Sequence, residues 1–278
     1  MLRPLGVMQG RLLPQYKGRY QAHPLGYWQD EFNLAANLDL DCIEFILDCS
    51  DVAHNPLLTQ EGREQIKSLS DQTGVSVISV CADYLMDAPL HAEDDQEVEK
   101  SMFILRQLLD ASVELGIQDI VIPCVDQSSM QNKRLRDRFQ EVLPEIIPKA
   151  EQSNVNLSLE TDLSPLLIAE LLNRLHSSQV TINYDIGNSA SLGYDPIEEL
   201  KAYGERISDI HIKDRTLGGK SVKLGTGHAD IPGFITLIER YDYRGPFIMQ
   251  AYRDVDGISI FKEQLYWINQ YLGGSNCQ

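Results

Sequence analysis

Short apolar runs rich in β-branched residues alternate with longer amphipathic stretches along almost the whole chain. Several of the runs are nearly continuously apolar, which is typical of parallel strands whose two faces are both covered. The alternation therefore predicts an α/β fold. The predicted strands are LGVMQ from Leu5, CIEFIL from Cys42, VSVISVC from Val75, DIVIPC from Asp119, VNLSLE from Val155, VTINYD from Val180, ISDIHI from Ile207 and PFIMQ from Pro246.

The intervening stretches carry apolar residues three and four positions apart with charges on the other face, as helices that pack on a sheet do. EVEKSMFILRQLLDASVEL and ISIFKEQLYWINQYL follow this pattern. RLRDRFQEVLPEIIPKAEQ follows it too, but its Pro144 and Pro148 should kink the helix or shift its start. Ser164 and Pro165 are predicted to be the N-cap and the first residue of a further helix, SPLLIAELLNRL.

Eight strand–helix units follow one another without an evident linker. Eight parallel units in about 250 residues match the number of units and the length of a (β/α)₈ TIM barrel. We therefore predict one such domain over residues 1–278. A doubly wound open sheet is the alternative, although the first strand lacks the G-x-G-x-x-G turn that would favour it. The connection from Gly10 to Gly26 is long, which is typical of a lid or a binding loop.

The chain is strongly acidic, with 24 Lys and Arg against 41 Asp and Glu and a formal net charge of -17. Such a charge repels a phosphate backbone, so we expect no nucleic acid partner. No apolar run approaches the length of a membrane span, and the beginning of the chain lacks the apolar core of a signal peptide. Five scattered cysteines indicate reduced thiols. We therefore expect a cytoplasmic protein that does not bind membranes.

Polar residues at the ends of the predicted strands are the candidates for chemistry, because active sites of this fold lie at the carboxyl ends of the strands. Glu160, Asp185 and His211 end three consecutive strands. Neighbouring strands lie roughly 5 Å apart, so these side chains can converge. With the amide oxygen of Gln250 they form a mixed O/N set suited to Mn²⁺, Mg²⁺ or Zn²⁺. The alternative is that Asp185 caps the following turn and that His211 packs under a loop.

Other polar residues near strand ends are candidates for binding a substrate. Asn188 follows the turn after Asp185, Lys213 shares a strand face with His211, and His228 lies in the glycine-rich LGTGHADIPGF loop. Basic side chains for a substrate phosphate are available at Arg11, Lys213, Arg215, Lys220 and Arg253. Strand ends also include Gln9, Glu44, Asp48, Cys81, Asp83, Cys124 and Asp126, for each of which an ordinary loop position is the default. Of these, Asp83 is a further candidate for binding the substrate.

Four motifs resemble the xylose-isomerase-like sugar-phosphate isomerases and epimerases, in particular the L-ribulose and L-xylulose 5-phosphate 3-epimerases. They are IEFILD, YDIGNSASLG, HIKD and YRGPFIMQ. The resemblance runs from the first strand to the last. It implies a xylose-isomerase-like barrel and a divalent metal held by Glu160, Asp185, His211 and residue 250. In these epimerases the fourth ligand is a second glutamate, and the two glutamates act as acid and base on opposite faces of one carbon.

Gln250 departs from that pattern, because an amide can still coordinate a metal but cannot accept a proton near neutral pH. One carboxylate, Glu160, can still move a proton between adjacent carbons through a metal-stabilised enediolate. We therefore predict a metal-dependent sugar or sugar-phosphate isomerase, or an epimerase if Asp83, His228 or Lys213 supplies a second group. The alternative is a sugar-binding barrel without catalysis. An endonuclease is disfavoured by the acidic charge. Assembly into a homo-oligomer is left open.

Overall fold

Eight parallel strands close into a barrel in the computed structural model, which describes residues 3–255 and 257–272. The remaining residues of the predicted 1–278 domain, including Cys277, lie outside the described residues. The barrel strands are β1 (Leu5–Met8), β2 (Cys42–Ile46), β3 (Ser76–Cys81), β4 (Asp119–Cys124), β5 (Asn156–Thr161), β6 (Val180–Asp185), β7 (Ile207–Ile212) and β10 (Phe247–Met249). The predicted barrel is confirmed, and the open sheet is excluded by closure of β1 on β10.

A short antiparallel hairpin follows the seventh barrel strand. Its strands are β8 (Asp214–Arg215) and β9 (Ser221–Val222). The order around the barrel is β1, β10, β7, β6, β5, β4, β3, β2. Consecutive barrel strands are therefore neighbours, and the strands that carry the candidate ligands occupy one half of the ring.

The helices lie between the strands in sequence and connect them, except for the last helix, which follows the final barrel strand. They are α1 (Asp30–Ala36), α2 (Gln60–Thr73), α3 (Tyr84–Asp87), α4 (Asp95–Leu115), α5 (Lys133–Val142), α6 (Ile147–Ser153), α7 (Pro165–Leu175), α8 (Ile186–Leu192), α9 (Pro196–Tyr203), α10 (Ile231–Ile238) and α11 (Ile258–Leu272). The stretch with Pro144 and Pro148 is divided into α5, a short 3₁₀ turn and α6, as proline predicts. Ser164 occupies the N-cap position of α7, but the predicted side-chain cap is not formed.

Most apolar side chains pack between the barrel and its helices, whereas the barrel interior is partly polar. A small apolar cluster of Met8, Cys42, Ile46, Cys81, Val121 and Ile248 fills one part of the interior. Because side chains alternate along a strand, Glu44 shares the inward face of β2 with Cys42 and Ile46. Cys42, Cys49, Cys81 and Cys124 are free thiols. Within the described residues, no helix is long and apolar enough to cross a membrane.

The loop after β1 is anchored at its start by a buried carboxylate. Gly10 donates its amide to both oxygens of Glu31 at 2.9 and 2.8 Å, and Leu12 donates to Glu31 Oε1 at 3.0 Å. Gly10 has a φ of 88°, and a Cβ atom there would lie 2.4 Å from the carbonyl oxygen of Tyr20. This turn needs a glycine and a carboxylate together, so the path of the loop is fixed where it leaves the barrel.

We expect Glu31→Gln to lower the free energy of unfolding by about 1–3 kcal/mol, because the new NH₂ group faces buried amide donors that lose an acceptor. Urea unfolding of the two proteins measures the difference. Asp30→Asn is the matched control, since Asp30 is exposed on the same helix. Equal stability of Glu31→Gln and wild type would show that the carboxylate does not anchor the loop.

Candidate active site at the barrel mouth

Three of the predicted ligands meet at the carboxyl ends of neighbouring strands. Glu160 lies on β5, Asp185 ends β6, and His211 lies on β7, where it pairs in register with Asp185. One potential ligand atom from each of the three lies within 4.8 Å of the others, and all three side chains are buried. Three groups this close can share one cation.

Asn188 and Lys213 hold the two carboxylates of this cluster. Asn188 donates from Nδ2 to Glu160 Oε1 at 2.6 Å and from its backbone amide to Asp185 Oδ1 at 2.8 Å. Lys213 Nζ donates to Asp185 Oδ2 at 3.2 Å. Asp185 is thus the N-cap of α8, as the alternative interpretation predicted, and it also faces the cluster. Burial, and then the nearby Asp185 charge, raise the pKa of Glu160 to about 7.

His211 is held from across the barrel by Glu44. The His211 Nε2 atom lies 2.8 Å from Glu44 Oε1, and Ser79 Oγ donates to Glu44 Oε2 at 2.7 Å. His211 Nδ1 is buried and has no hydrogen-bond partner among the described residues. A proton on Nε2, donated to Glu44, leaves the Nδ1 lone pair available as a ligand.

Glu44 and Asp209 form a second set of converging ligand atoms with His211, also within 4.8 Å. Burial raises the pKa of Glu44 to about 8 and raises that of Asp209 as well. Glu44 is already engaged by the imidazole and by the Ser79 hydroxyl. We therefore interpret Glu44 and Asp209 as residues that hold His211 in place rather than as part of a second metal site. The sequence placed Glu44 at a strand end but gave no sign of its contact with a residue 167 positions away.

Gln250 directly follows β10, the barrel neighbour of β7. Its Nε2 donates to Gln21 Oε1 at 2.9 Å, whereas its Oε1 is buried without a hydrogen-bond partner in the part of the chain that the structure describes. Gln21, from the loop after β1, also donates from Nε2 to Asp83 Oδ2 at 3.3 Å. Gln21 was not predicted as a site residue, and its membership of the long loop was the one signal that the sequence offered.

A cavity of about 300 Å³ opens beside these groups. This volume is near the lower end of small-molecule sites, about 300–1,000 Å³, and suits a ligand the size of a monosaccharide. The lining is mostly polar, with four carboxylates, two cations and three amides. The lining residues are Gln21, Asp83, Met86, Val125, Asp126, Glu160, Asp162, Asn188, Ser191, Leu192, Lys213, Arg215 and Gln250.

The other predicted binding residues divide into two groups. Asp83, Asn188, Lys213 and Arg215 line the cavity. Within the described part of the chain, this cavity is not lined by Arg11, Arg253 or His228.

These three side chains are engaged elsewhere. Arg11 donates to Gln21 Oε1 at 3.0 Å, and the Arg253 guanidinium lies 4.5 Å from the centre of the Tyr20 ring. His228 is exposed, and its Nδ1 accepts from the Leu217 amide. Lys220, the remaining basic candidate, is also exposed and absent from the described lining.

Comparisons with known proteins agree with the barrel fold. A family model described as xylose isomerase-like TIM barrel matches residues 32–271. L-ribulose-5-phosphate 3-epimerase UlaE of Salmonella paratyphi A is 28% identical over 235 residues, which cover 82% of this chain and 83% of that protein.

Two solved structures share the fold at low sequence identity. A D-psicose 3-epimerase, solved in the presence of D-fructose, superposes with a TM-score of 0.74 at 13% identity and covers 98% of this chain and 100% of its own. The IOLI protein with a binding zinc atom has a TM-score of 0.75 at 14% identity and covers 96% and 99% of the two chains.

Proposed function

We propose, from the premise that this chain belongs to the xylose isomerase-like TIM barrel family, that it is a divalent-metal-dependent isomerase or epimerase of a sugar or sugar phosphate. The observation that carries the proposal is the meeting of Glu160, Asp185 and His211 within 4.8 Å beside the cavity. The names of the relatives support a sugar as the substrate class.

The residues at the mouth fit a metal ion. His211 Nδ1 and Gln250 Oε1 are buried polar atoms without hydrogen-bond partners among the described residues, and such atoms are costly unless they are satisfied. We assign Glu160, Asp185, His211 and Gln250 as the ligands of Mn²⁺, Mg²⁺ or Zn²⁺. A divalent ion bound there would polarise a substrate carbonyl group and the neighbouring hydroxyl group, which would make the C–H bond of the hydroxyl-bearing carbon more acidic.

Glu160 is assigned as the base. Its Oε1 accepts from Asn188 Nδ2, which leaves Oε2 to take the proton from the substrate carbon and to give a proton back. Asn188, Lys213 and Arg215 line the cavity and are assigned to substrate oxygens, because each carries N–H donors. The alternative of a sugar-binding barrel without catalysis is weakened by Gln250 Oε1. This atom has no hydrogen-bond partner among the described residues, so it is available as the fourth metal ligand in place of a second glutamate.

Elemental analysis of the purified protein, followed by a panel of ketoses and ketose phosphates with added Mn²⁺, Mg²⁺ or Zn²⁺, tests the proposal. We expect a bound divalent metal, turnover of at least one sugar and loss of turnover in a chelator, with recovery on adding the metal. A protein that binds none of the three metals and exchanges no substrate proton would contradict the proposal and favour a binding module.

Glu44→Gln tests whether the Glu44 carboxylate, which contacts His211 Nε2, affects the metal affinity of the site. We expect metal affinity to fall by about 10–100-fold, because the partner of a ligating histidine fixes its tautomer and raises its basicity. Isothermal titration of the metal-free protein measures the change. Glu199→Gln is the matched control, since Glu199 is also buried but binds the hydroxyl groups of Tyr184, Ser189 and Tyr203. Equal metal affinities for Glu44→Gln and wild type would remove Glu44 from the metal centre.

A further inference from the structure

Three carboxylates other than Glu160 line the cavity, and one of them, Asp83, binds Gln21, which in turn binds Gln250. Inversion of a carbon requires a base on one face and an acid on the other, and the amide of Gln250 supplies neither. Of the three substitutes that the sequence offered, His228 is exposed and outside the described lining. Lys213 directly follows β7 and donates to Asp185, so it lies in the same half of the barrel as Glu160. Asp83 lines the cavity together with Glu160 and Gln250.

Asp83 approaches from the half of the barrel opposite the ligands. It follows β3, whereas the four assigned ligands come from β5, β6, β7 and the end of β10. Gln21 joins the two halves, because it accepts from Gln250 Nε2 at 2.9 Å and donates to Asp83 Oδ2 at 3.3 Å. One amide side chain therefore separates residue 250 from a carboxyl group.

The surroundings of Asp83 suit proton transfer. Its oxygens accept from Gln21 Nε2 and from Cys81 Sγ, the latter at 3.1 Å. Within residues 3–255 and 257–272, no Lys or Arg side chain donates a hydrogen bond to Asp83. Burial raises the pKa of Asp83 above the ordinary aspartate value, so the protonated acid is easier to form than on an exposed aspartate.

We propose that Asp83 is the second proton-transfer group and that the enzyme inverts a carbon next to the ketone of a ketose. This inference rests on the proposed function. The Glu160 carboxylate takes the proton from one face of the carbon, and the C–H electron pair moves into an enediolate. The Asp83 carboxylic acid then gives its proton to the opposite face. Glu160 releases its proton to solvent and Asp83 regains one, so nothing is oxidised or reduced.

Asp83→Asn in D₂O separates the two proton transfers. The wild-type enzyme is expected to invert the ketose and to incorporate solvent deuterium at the inverted carbon. In Asp83→Asn we expect inversion to slow by about 10²–10⁴-fold. Deuterium should still enter the substrate with retained configuration, because Glu160 continues to remove and return a proton on its own face. NMR of the sugar reports both quantities.

Asp87→Asn is the control, because Asp87 is an exposed aspartate four residues further on and outside the cavity lining. It should leave both rates unchanged. Circular dichroism and metal content of Asp83→Asn report folding, and Asp83→Glu, which keeps a carboxyl group, should retain part of the inversion.

The outcomes distinguish the inference from the proposed function. Inversion that survives in Asp83→Asn, or inversion and exchange that fall together, overturns the role of Asp83. A wild-type enzyme that makes an aldose without inversion also overturns that role and leaves a one-base isomerase. A wild-type protein that exchanges no substrate proton overturns the proposed function, and the inference falls with it.

Discussion

Replacing Glu160 with glutamine is expected to slow proton exchange at the reacting carbon by about 10²–10⁴-fold. The amide matches the carboxylate in shape but cannot accept the proton. Exchange into the sugar in D₂O, followed at saturating metal, measures the loss. Saturation matters because the amide is also a weaker metal ligand than the carboxylate.

Glu170→Gln is the matched control for this experiment. Glu170 is an exposed glutamate on α7, the helix that follows β5, and it is outside the lining of the mouth cavity. We expect its exchange rate to equal that of the wild type. If Glu160→Gln exchanges protons at the wild-type rate, another group is the base, and the assignment of Glu160 fails even if the metal is bound.

Several strands were predictable because both of their faces are covered, so their sequences are nearly continuous apolar runs. The strands VNLSLE, VTINYD and ISDIHI alternate instead, with buried polar side chains between the apolar ones, and their β-branched and apolar residues were the signal. Each predicted strand lies in the barrel, with bounds that differ at most at the terminal residues. The meeting of Glu160, Asp185 and His211 was predictable for a related reason. Once consecutive strands are parallel neighbours, residues that end them must lie side by side at one rim.

The partners of these residues were not predictable from the same patterns. Glu44 reaches His211 through the barrel interior, a contact between strands β2 and β7 that are not neighbours in the ring. Gln21 lies in a loop whose path is fixed by Gly10 and Glu31 rather than by a periodic pattern. Side-chain contacts of this kind depend on which atoms face each other across the closed barrel and on the path of irregular backbone, neither of which a residue spacing encodes.

The contacts of basic side chains near the mouth were not predictable from the sequence either. Arg11, Arg253 and His228 follow strands or lie in loops near the mouth, so the sequence offered them as substrate ligands. In the structure Arg11 contacts Gln21, and Arg253 donates to the Leu13 carbonyl oxygen. A position in a rim loop does not fix the direction of a long side chain, and direct roles of these three residues in substrate binding remain predictions.

Gln250→Glu is expected to tighten metal binding by about tenfold or more, because a charged oxygen replaces a neutral one among the ligands of a hard cation. Isothermal titration measures the change. Gln21→Glu is the control, since it adds the same charge to the same cavity at a side chain that we do not assign as a ligand. Tightening by Gln250→Glu that does not exceed that of Gln21→Glu would show that residue 250 acts through charge alone and does not bind the metal.

The same substitution also tests whether a carboxylate at residue 250 can transfer the second proton in place of Asp83. In the wild type, Gln21 Oε1 accepts from both Gln250 Nε2 and Arg11, so a glutamate at 250 replaces one of these donors with a carboxylate. The new carboxylate can then carry the proton that Asp83 carries in the wild type. We therefore expect Gln250→Glu, placed in the Asp83→Asn protein, to raise inversion by about tenfold or more. Inversion that stays at the Asp83→Asn level would show that a carboxylate at residue 250 does not reach the carbon in this barrel.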